Sequence, residues 1–295
     1  MSRATSRLIV AALAAMVLAG AGIAGVASAR TYVPAFSVVA MDKGPVFREG
    51  CLIYTTAIKS PPCHYGEVGS TKKVFVFGDS HSLQWTPALI DIAERRGWEL
   101  TTLMRKNCTA ATVNTDPICN RWRQNSLRRI EREKPGLVFV ASNTASNISV
   151  RKGTKRLSRT ASEPLFRRGM YQSLLRLRRT GAEVTVMRDL PMSSDFLPSV
   201  CVSENVDRPA RCSFPAHRPL VEAYDFAAAK RLRQIQIIDP LPRVCPGGTC
   251  RAVQGNVLKY RDRGHISATY SRTLANWLDA RLQDPFGKAG THARP

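Results

Sequence analysis

Two short stretches of this chain hold residues that could do chemistry together: Gly78-Asp79-Ser80-His81 and Asp262-Arg263-Gly264-His265. A serine hydroxyl is a poor nucleophile until a base removes its proton and a third group orients that base. The chain has five histidines, His64, His81, His217, His265 and His292, and only His265 has an aspartate three residues before it in a turn-like, glycine-containing context. A D-x-x-H spacing across a turn lets the carboxylate reach the imidazole Nδ1, which leaves Nε2 to face a hydroxyl. We therefore read Ser80 as nucleophile, His265 as general base and Asp262 as the group that orients His265. The chemistry expected of such a set is nucleophilic catalysis by the serine, and it needs no cofactor. A metal is not expected either. No cysteine pair has C-x-x-C spacing.

Neither motif decides anything alone: composition gives Gly-Asp-Ser in roughly one chain of this length in ten, and D-x-x-H in about one in three. Their positions are what join them. Val74–Phe77 is a continuous apolar run that reads as a buried strand, and an amphipathic pattern over 83–96 follows it as a helix. Further strands are expected at about 99–104, 137–141, 183–188 and 235–238. Helices are expected at about 120–132, 165–179, 220–232 and 268–282. Five strands alternating with helices predict an α/β fold: a flavodoxin-like three-layer α/β/α sandwich on a five-stranded parallel sheet. In such a sheet the end of the first strand and the start of the last helix share one carboxyl edge, where ligands bind. Residues 30–72, with several prolines and little periodicity, read as a linker and a clasp onto the domain edge. The domain spans 73–284, and the tail 285–295 reads as disordered.

The first 29 residues carry Arg3 and Arg7, an uncharged stretch from Leu8, and an end at Ala27-Ser28-Ala29. This pattern marks a secretory signal peptide, with an uncleaved N-terminal anchor as the alternative. Eight cysteines agree with an exported protein, and they fall into sequence-local pairs 51/63, 108/119, 201/212 and 245/250. The net charge is +22, and it stays at +20 without the two arginines of residues 1–29. In an exported protein this points to phospholipid headgroups or anionic envelope polymers rather than to nucleic acid. Most basic residues read as a solvated surface. The densest cluster, Arg151, Lys152, Lys155, Arg156 and Arg159, lies in a polar loop that could meet an anionic partner.

The two motifs, with their neighbours, resemble the SGNH (GDSL-like) hydrolase superfamily. More closely, the chain resembles the SGNH domain fused to bacterial acyltransferase-3 membrane proteins. The matching stretches are Gly-Asp-Ser-His-Ser-Leu-Gln-Trp at 78–85, the Cys108/Cys119 loop, Arg-Asp-Leu-Pro at 188–191, the Cys201/Cys212 excursion and Tyr-Arg-Asp-Arg-Gly-His-Ile-Ser at 260–267. The resemblance covers about residues 70–284 and implies O-acyl ester chemistry on envelope saccharides or glycolipids. It also implies an oxyanion hole from the serine amide, a glycine after the second strand and an asparagine after the third. This chain has Arg105-Lys106-Asn107-Cys108 and no glycine at the second place, and Ser142-Asn143-Thr144 at the third. Asn143 carries over as the oxyanion donor, with a plain turn-forming role as its alternative.

The function expected is that of an exported serine-dependent O-acyltransferase. It would move a small acyl group, acetyl by preference, onto an envelope polysaccharide or glycolipid, at the extracytoplasmic face of the membrane. The sequence shows no multi-span acyltransferase segment, so the acyl donor is expected to come from a separate membrane protein or another molecule. Two other readings stay open: an O-acetyl esterase with the same triad, and a catalytically weak glycan-binding module. Among the remaining residues, Asp79 reads as a helix cap, Trp85 as core, and His81 as structural or solvent-facing rather than pocket-lining. His217 and His292 read as surface, and Asn107 and Asn147 fit the glycosylation sequon.

Overall fold

The computed structural model describes residues 30–144, 149–216 and 223–287, the unit that follows the boundary at Arg30. The candidate signal or anchor segment lies outside these residues. So do Asn147, His217, His292 and the tail beyond 287.

Strand β3 (Lys73–Gly78) sits in the middle of the sheet because it is apolar on both faces. Val74 and Val76 point into one core layer with Trp85, Ile92 and Tyr270; Phe75 and Phe77 point into the other with Trp122, Ile130 and Leu174. Fully burying side chains of this size contributes roughly 1.5–3 kcal/mol each. Parallel neighbours flank it: β4 (Glu99–Arg105) on one side, then β5 (Leu137–Ala141), β6 (Glu183–Met187) and β7 (Ile235–Ile238) on the other. The order β4-β3-β5-β6-β7 is the flavodoxin-like order, with its topological switch between β3 and β5.

The sheet has seven strands rather than the expected five. Two short strands from the clasp extend its edge on β4: β1 (Leu52–Ile53) runs parallel and β2 (His64–Gly66) antiparallel. Strands of two and three residues are too short to show a period in the sequence. They hold because the Cys51–Cys63 disulfide closes the loop between them. All four expected cysteine pairs are joined, at 51–63, 108–119, 201–212 and 245–250, so no thiolate is available as a metal ligand.

Helix α1 (Ser80–Leu83) is a single turn at the end of β3, and α2 (Thr86–Arg96) continues it after a break. Helices α3 (Pro117–Glu133) and α4 (Arg159–Arg178) cover the Phe75/Phe77 face; α5 (Tyr224–Ala229) joins them. Where one last helix is expected there are two short ones, α6 (Ala268–Thr273) and α7 (Ala275–Asp279). The expected polar loop after β5 contains a two-stranded hairpin, Arg151–Lys152 against Lys155–Arg156. Among the described residues no helix is long and apolar enough to cross a membrane.

Candidate active site

The turn that presents Ser80 is built from its neighbours. Gly78 has φ +156°, and a Cβ there would sit 1.9 Å from the Ala141 carbonyl oxygen of β5 and 2.3 Å from Ser82 Oγ. Only glycine fits that approach. Asp79 then caps α1: its carboxylate accepts from the His81 N–H at 2.9 Å. The same carboxylate accepts from the Asn143 N–H at 2.9 and 3.1 Å. Asp79 therefore ties the loop after β5 to the turn that presents Ser80, across the switch point of the sheet. Its burial raises the carboxyl to about 6, against these N–H bonds and the His81 ring, which favour the charged form.

Ser80, His265 and Asp262 lie next to one another at the carboxyl edge of the sheet. Ser80 Oγ lies 3.0 Å from His265 Nε2. His265 Nδ1 is 2.9 and 3.0 Å from the two Asp262 carboxylate oxygens. Asp262 also accepts from the Gly264 and His265 N–H groups at 2.9 and 2.8 Å, so one carboxylate both shapes the D-x-x-H turn and orients the ring. Gly264 is required by close packing: a Cβ there would meet the Met192 side chain at 2.8 Å. Arg261, buried just before the motif, donates to the Ile266 carbonyl at 2.9 Å and lies 3.7 Å from Asp262. Burial alone would raise the Asp262 carboxyl, but the His265 bond, the Arg261 charge and the turn N–H groups hold it well below the usual carboxylate range. The His265 imidazole is held down at about 4: burial is the largest cause, the bond to Asp262 opposes it, and the His81 and Arg261 charges add to it.

The loops after β4 and β5 close the other side of the edge. Asn107 stands where the resemblance expects a glycine, and it holds the left-handed conformation, φ +56°, that glycine takes freely and asparagine tolerates. Arg123, almost fully buried, shapes this loop by donating to the Thr109 and Val113 carbonyls at 2.8 Å and to Cys119 Sγ at 3.0 Å. The Tyr224 hydroxyl bridges Thr109 Oγ1 at 2.8 Å and the Asn143 carbonyl at 3.1 Å. A cavity of about 190 Å³ lies between the loops, lined by Asp79, Asn107, Thr109, Asn143 and Arg156 among others. Arg156 brings the basic hairpin of the 151–159 cluster to this cavity.

His81 is not solvent-facing. It is 1% exposed, and its Nδ1 lies 2.5 Å from Asp189 Oδ1. Asp189 follows β6 and also accepts from the Leu190 N–H at 2.9 Å and the Thr144 N–H at 2.8 Å. The Arg188-Asp189-Leu190-Pro191 stretch thus holds a site-edge carboxylate that no local spacing reveals. Its sequence signals are an aspartate two residues after a buried strand and the Arg-Asp-Leu-Pro stretch that carries the family resemblance. Trp85 is core, as expected.

Among solved structures, the chain is similar to the periplasmic domain of lipopolysaccharide acetyltransferase from Salmonella ser. Paratyphi A. The identity is 15%, the TM-score 0.54, and the match covers 78% of this chain and 85% of that one. An acetyl xylan esterase, Est2A from the rumen bacterium Butyrivibrio proteoclasticus, is similar at 10% identity and TM-score 0.36, over 75% of this chain and 64% of that one. No curated protein sequence matches. The family model of the SGNH domain (fused to AT3 domains) matches residues 50–280, which is most of the chain, and the protein belongs to that family.

Proposed function

We propose that the protein is an exported serine-dependent O-acyltransferase that moves a small acyl group, acetyl by preference, onto a hydroxyl of a cell-envelope saccharide. The observation that carries this reading is the unbroken run Ser80 Oγ, His265 Nε2, His265 Nδ1, Asp262 at the carboxyl edge of the sheet. Ser80 Oγ attacks the donor's carbonyl carbon while its proton passes to His265 Nε2. Asp262 stabilises the resulting imidazolium through Nδ1–H. Collapse of the tetrahedral intermediate breaks the bond to the donor's leaving group, which takes the proton from His265, and acyl-Ser80 remains. An acceptor hydroxyl then gives its proton to His265 and attacks the acyl carbon, and Ser80 leaves with the proton returned. The Ser80 amide, Asn143 and the backbone turn at Asn107 would serve the oxyanion. The cavity beside Asn143, with Arg156 at its wall, is the place for an anionic or hydroxyl-rich acceptor.

Transfer rather than hydrolysis is favoured by kinship with SGNH domains that are fused to AT3 domains. By that kinship, the donor is a membrane acyltransferase. Four disulfides support export. The test follows acetyl from p-nitrophenyl acetate, with wild type and Ser80→Ala, in the presence and absence of envelope oligosaccharide. The expected result is acetylated saccharide that depends on Ser80, with a loss of at least about a thousandfold in the variant. Acetate released equally without acceptor would make the protein an esterase. No Ser80-dependent turnover at all would leave a glycan-binding module.

A further inference from the structure

A second histidine–carboxylate pair lies against the first. The His81 and His265 rings have centroids 4.5 Å apart and are inclined at 54°. His81 is enclosed, Nδ1 is bonded to Asp189, and Nε2 is buried with no hydrogen-bond partner among the described residues. No substrate atom reaches His81 in this arrangement, so its influence must pass through the neighbouring ring. Asp189, for its part, is fixed by two backbone N–H groups and by Thr144 Oγ1 at 3.3 Å, from loops after β5 and β6. Such a pair is costly to bury. A core built only for packing would hold apolar side chains here.

We infer that His81 and Asp189 act as a positioning pair for the general base, holding a charged imidazolium against His265 so that His265 stays neutral and ready to accept the Ser80 proton. This rests on the proposed roles of Ser80 and His265. Two imidazolium rings at this distance repel, and little water lies between them to screen the repulsion. One proton on His81 therefore opposes a second on His265. A neutral His265 ring, by contrast, is a favourable face for a cation.

The charged groups that bear on His81 come from every side. Asp79 lies on its own turn, Asp189 after β6, and Arg261 and His265 on the closing loop. Burial by itself would lower the His81 imidazole, but Asp189 and Asp79 outweigh burial and the Arg261 charge, and raise it. Burial would raise the Asp189 carboxyl, but His81 and the N–H donors hold it below the usual carboxylate range. The two pairs thus move their histidines in opposite directions, with the charge on His81 and the free lone pair on His265.

The experiment is an imidazole NMR titration of His265 in wild type, His81→Gln and Asp189→Asn, with the acid limb of p-nitrophenyl acetate turnover measured beside it. In wild type, His265 should titrate well below about 6.5, the ordinary histidine value, and below His81. Both variants should raise the His265 midpoint by about one pH unit, a tenfold gain in proton affinity, and move the acid limb with it. Asp189→Glu keeps the anion and should restore a midpoint close to wild type. A midpoint unchanged in both folded variants would mean that the pair is only a structural brace, and the inference fails. If neither variant folds, the wild-type titration still decides: His265 at or above about 6.5 overturns the inference. If the NMR shift appears but turnover never depends on Ser80, the pairing stands and the catalytic reading falls.

Discussion

Two histidine–aspartate pairs share one edge of this sheet, and they differ in almost every respect but chemistry. Asp262 and His265 are three residues apart, sit on a loop and are partly open to solvent; the Asp262 side chain is 43% exposed. His81 and Asp189 are 108 residues apart, come from opposite sides of the switch point and are enclosed, with side chains 1% and 4% exposed. The open pair is reached by solvent and has a ring brought down to about 4. The closed pair has no access and a ring raised above its ordinary value. Burial alone does not set the direction, since both rings are largely removed from water. What differs is the balance of neighbours: His81 faces two carboxylates, whereas the single carboxylate at His265 is opposed by Arg261 and by His81 itself. The same two residue types thus hold a ring below its ordinary value in one place and above it in the other.

This contrast can be broken most strongly at the open pair. His265→Ala should lower Ser80-dependent turnover by about three to four orders of magnitude, and Asp262→Asn by about two to four, measured as kcat/KM. Circular dichroism melts should show little change in His265→Ala, and a loss of about 1 kcal/mol in Asp262→Asn, which gives the Gly264 and His265 N–H groups a weaker acceptor. The closed pair should fail differently: Asp189→Asn leaves Thr144 and Leu190 N–H groups with a weaker acceptor, and should lower stability by about 1–3 kcal/mol in denaturant unfolding. The pH dependence sharpens the comparison. Because His265 must be neutral to act, kcat/KM should fall as pH drops through about 4, and stay level from there towards neutrality. A base held below its unfolded value binds fewer protons folded than unfolded, so its contribution to stability is present above about 6.5 and is lost as pH falls towards 4. The smallest effect is expected at the brace between the loops. Tyr224→Phe removes the hydroxyl that joins Thr109 and Asn143 and should cost about 1 kcal/mol, read as a small fall in melting temperature.

Much of the open pair is legible in the amino-acid order alone. A carboxylate three residues from a histidine acts through a local turn, and local turns are written in short spacings. The parallel core is equally plain, since β3 through β7 are apolar runs between helical patterns, and their observed bounds fall within about two residues of those expected. The closed pair is not legible in this way. His81 follows Ser80 in the sequence, but nothing local says that its ring turns inward, and Asp189 is only one aspartate among many after a strand. The edge strands β1 and β2 escape for a similar reason, because two or three residues carry no period.

The sequence by itself determined the strand and helix alternation, the local cysteine pairs and the turn chemistry at Ser80 and His265. These depend on contacts between near neighbours along the chain. Tertiary structure alone decided that Ser80 and His265, 185 residues apart, meet at 3.0 Å. It also decided that His81 is buried against Asp189, and that Asn107 takes a left-handed turn where a glycine was expected. Each of these is fixed by how loops from separate strands crowd one sheet edge, where distance along the chain says nothing about distance in space.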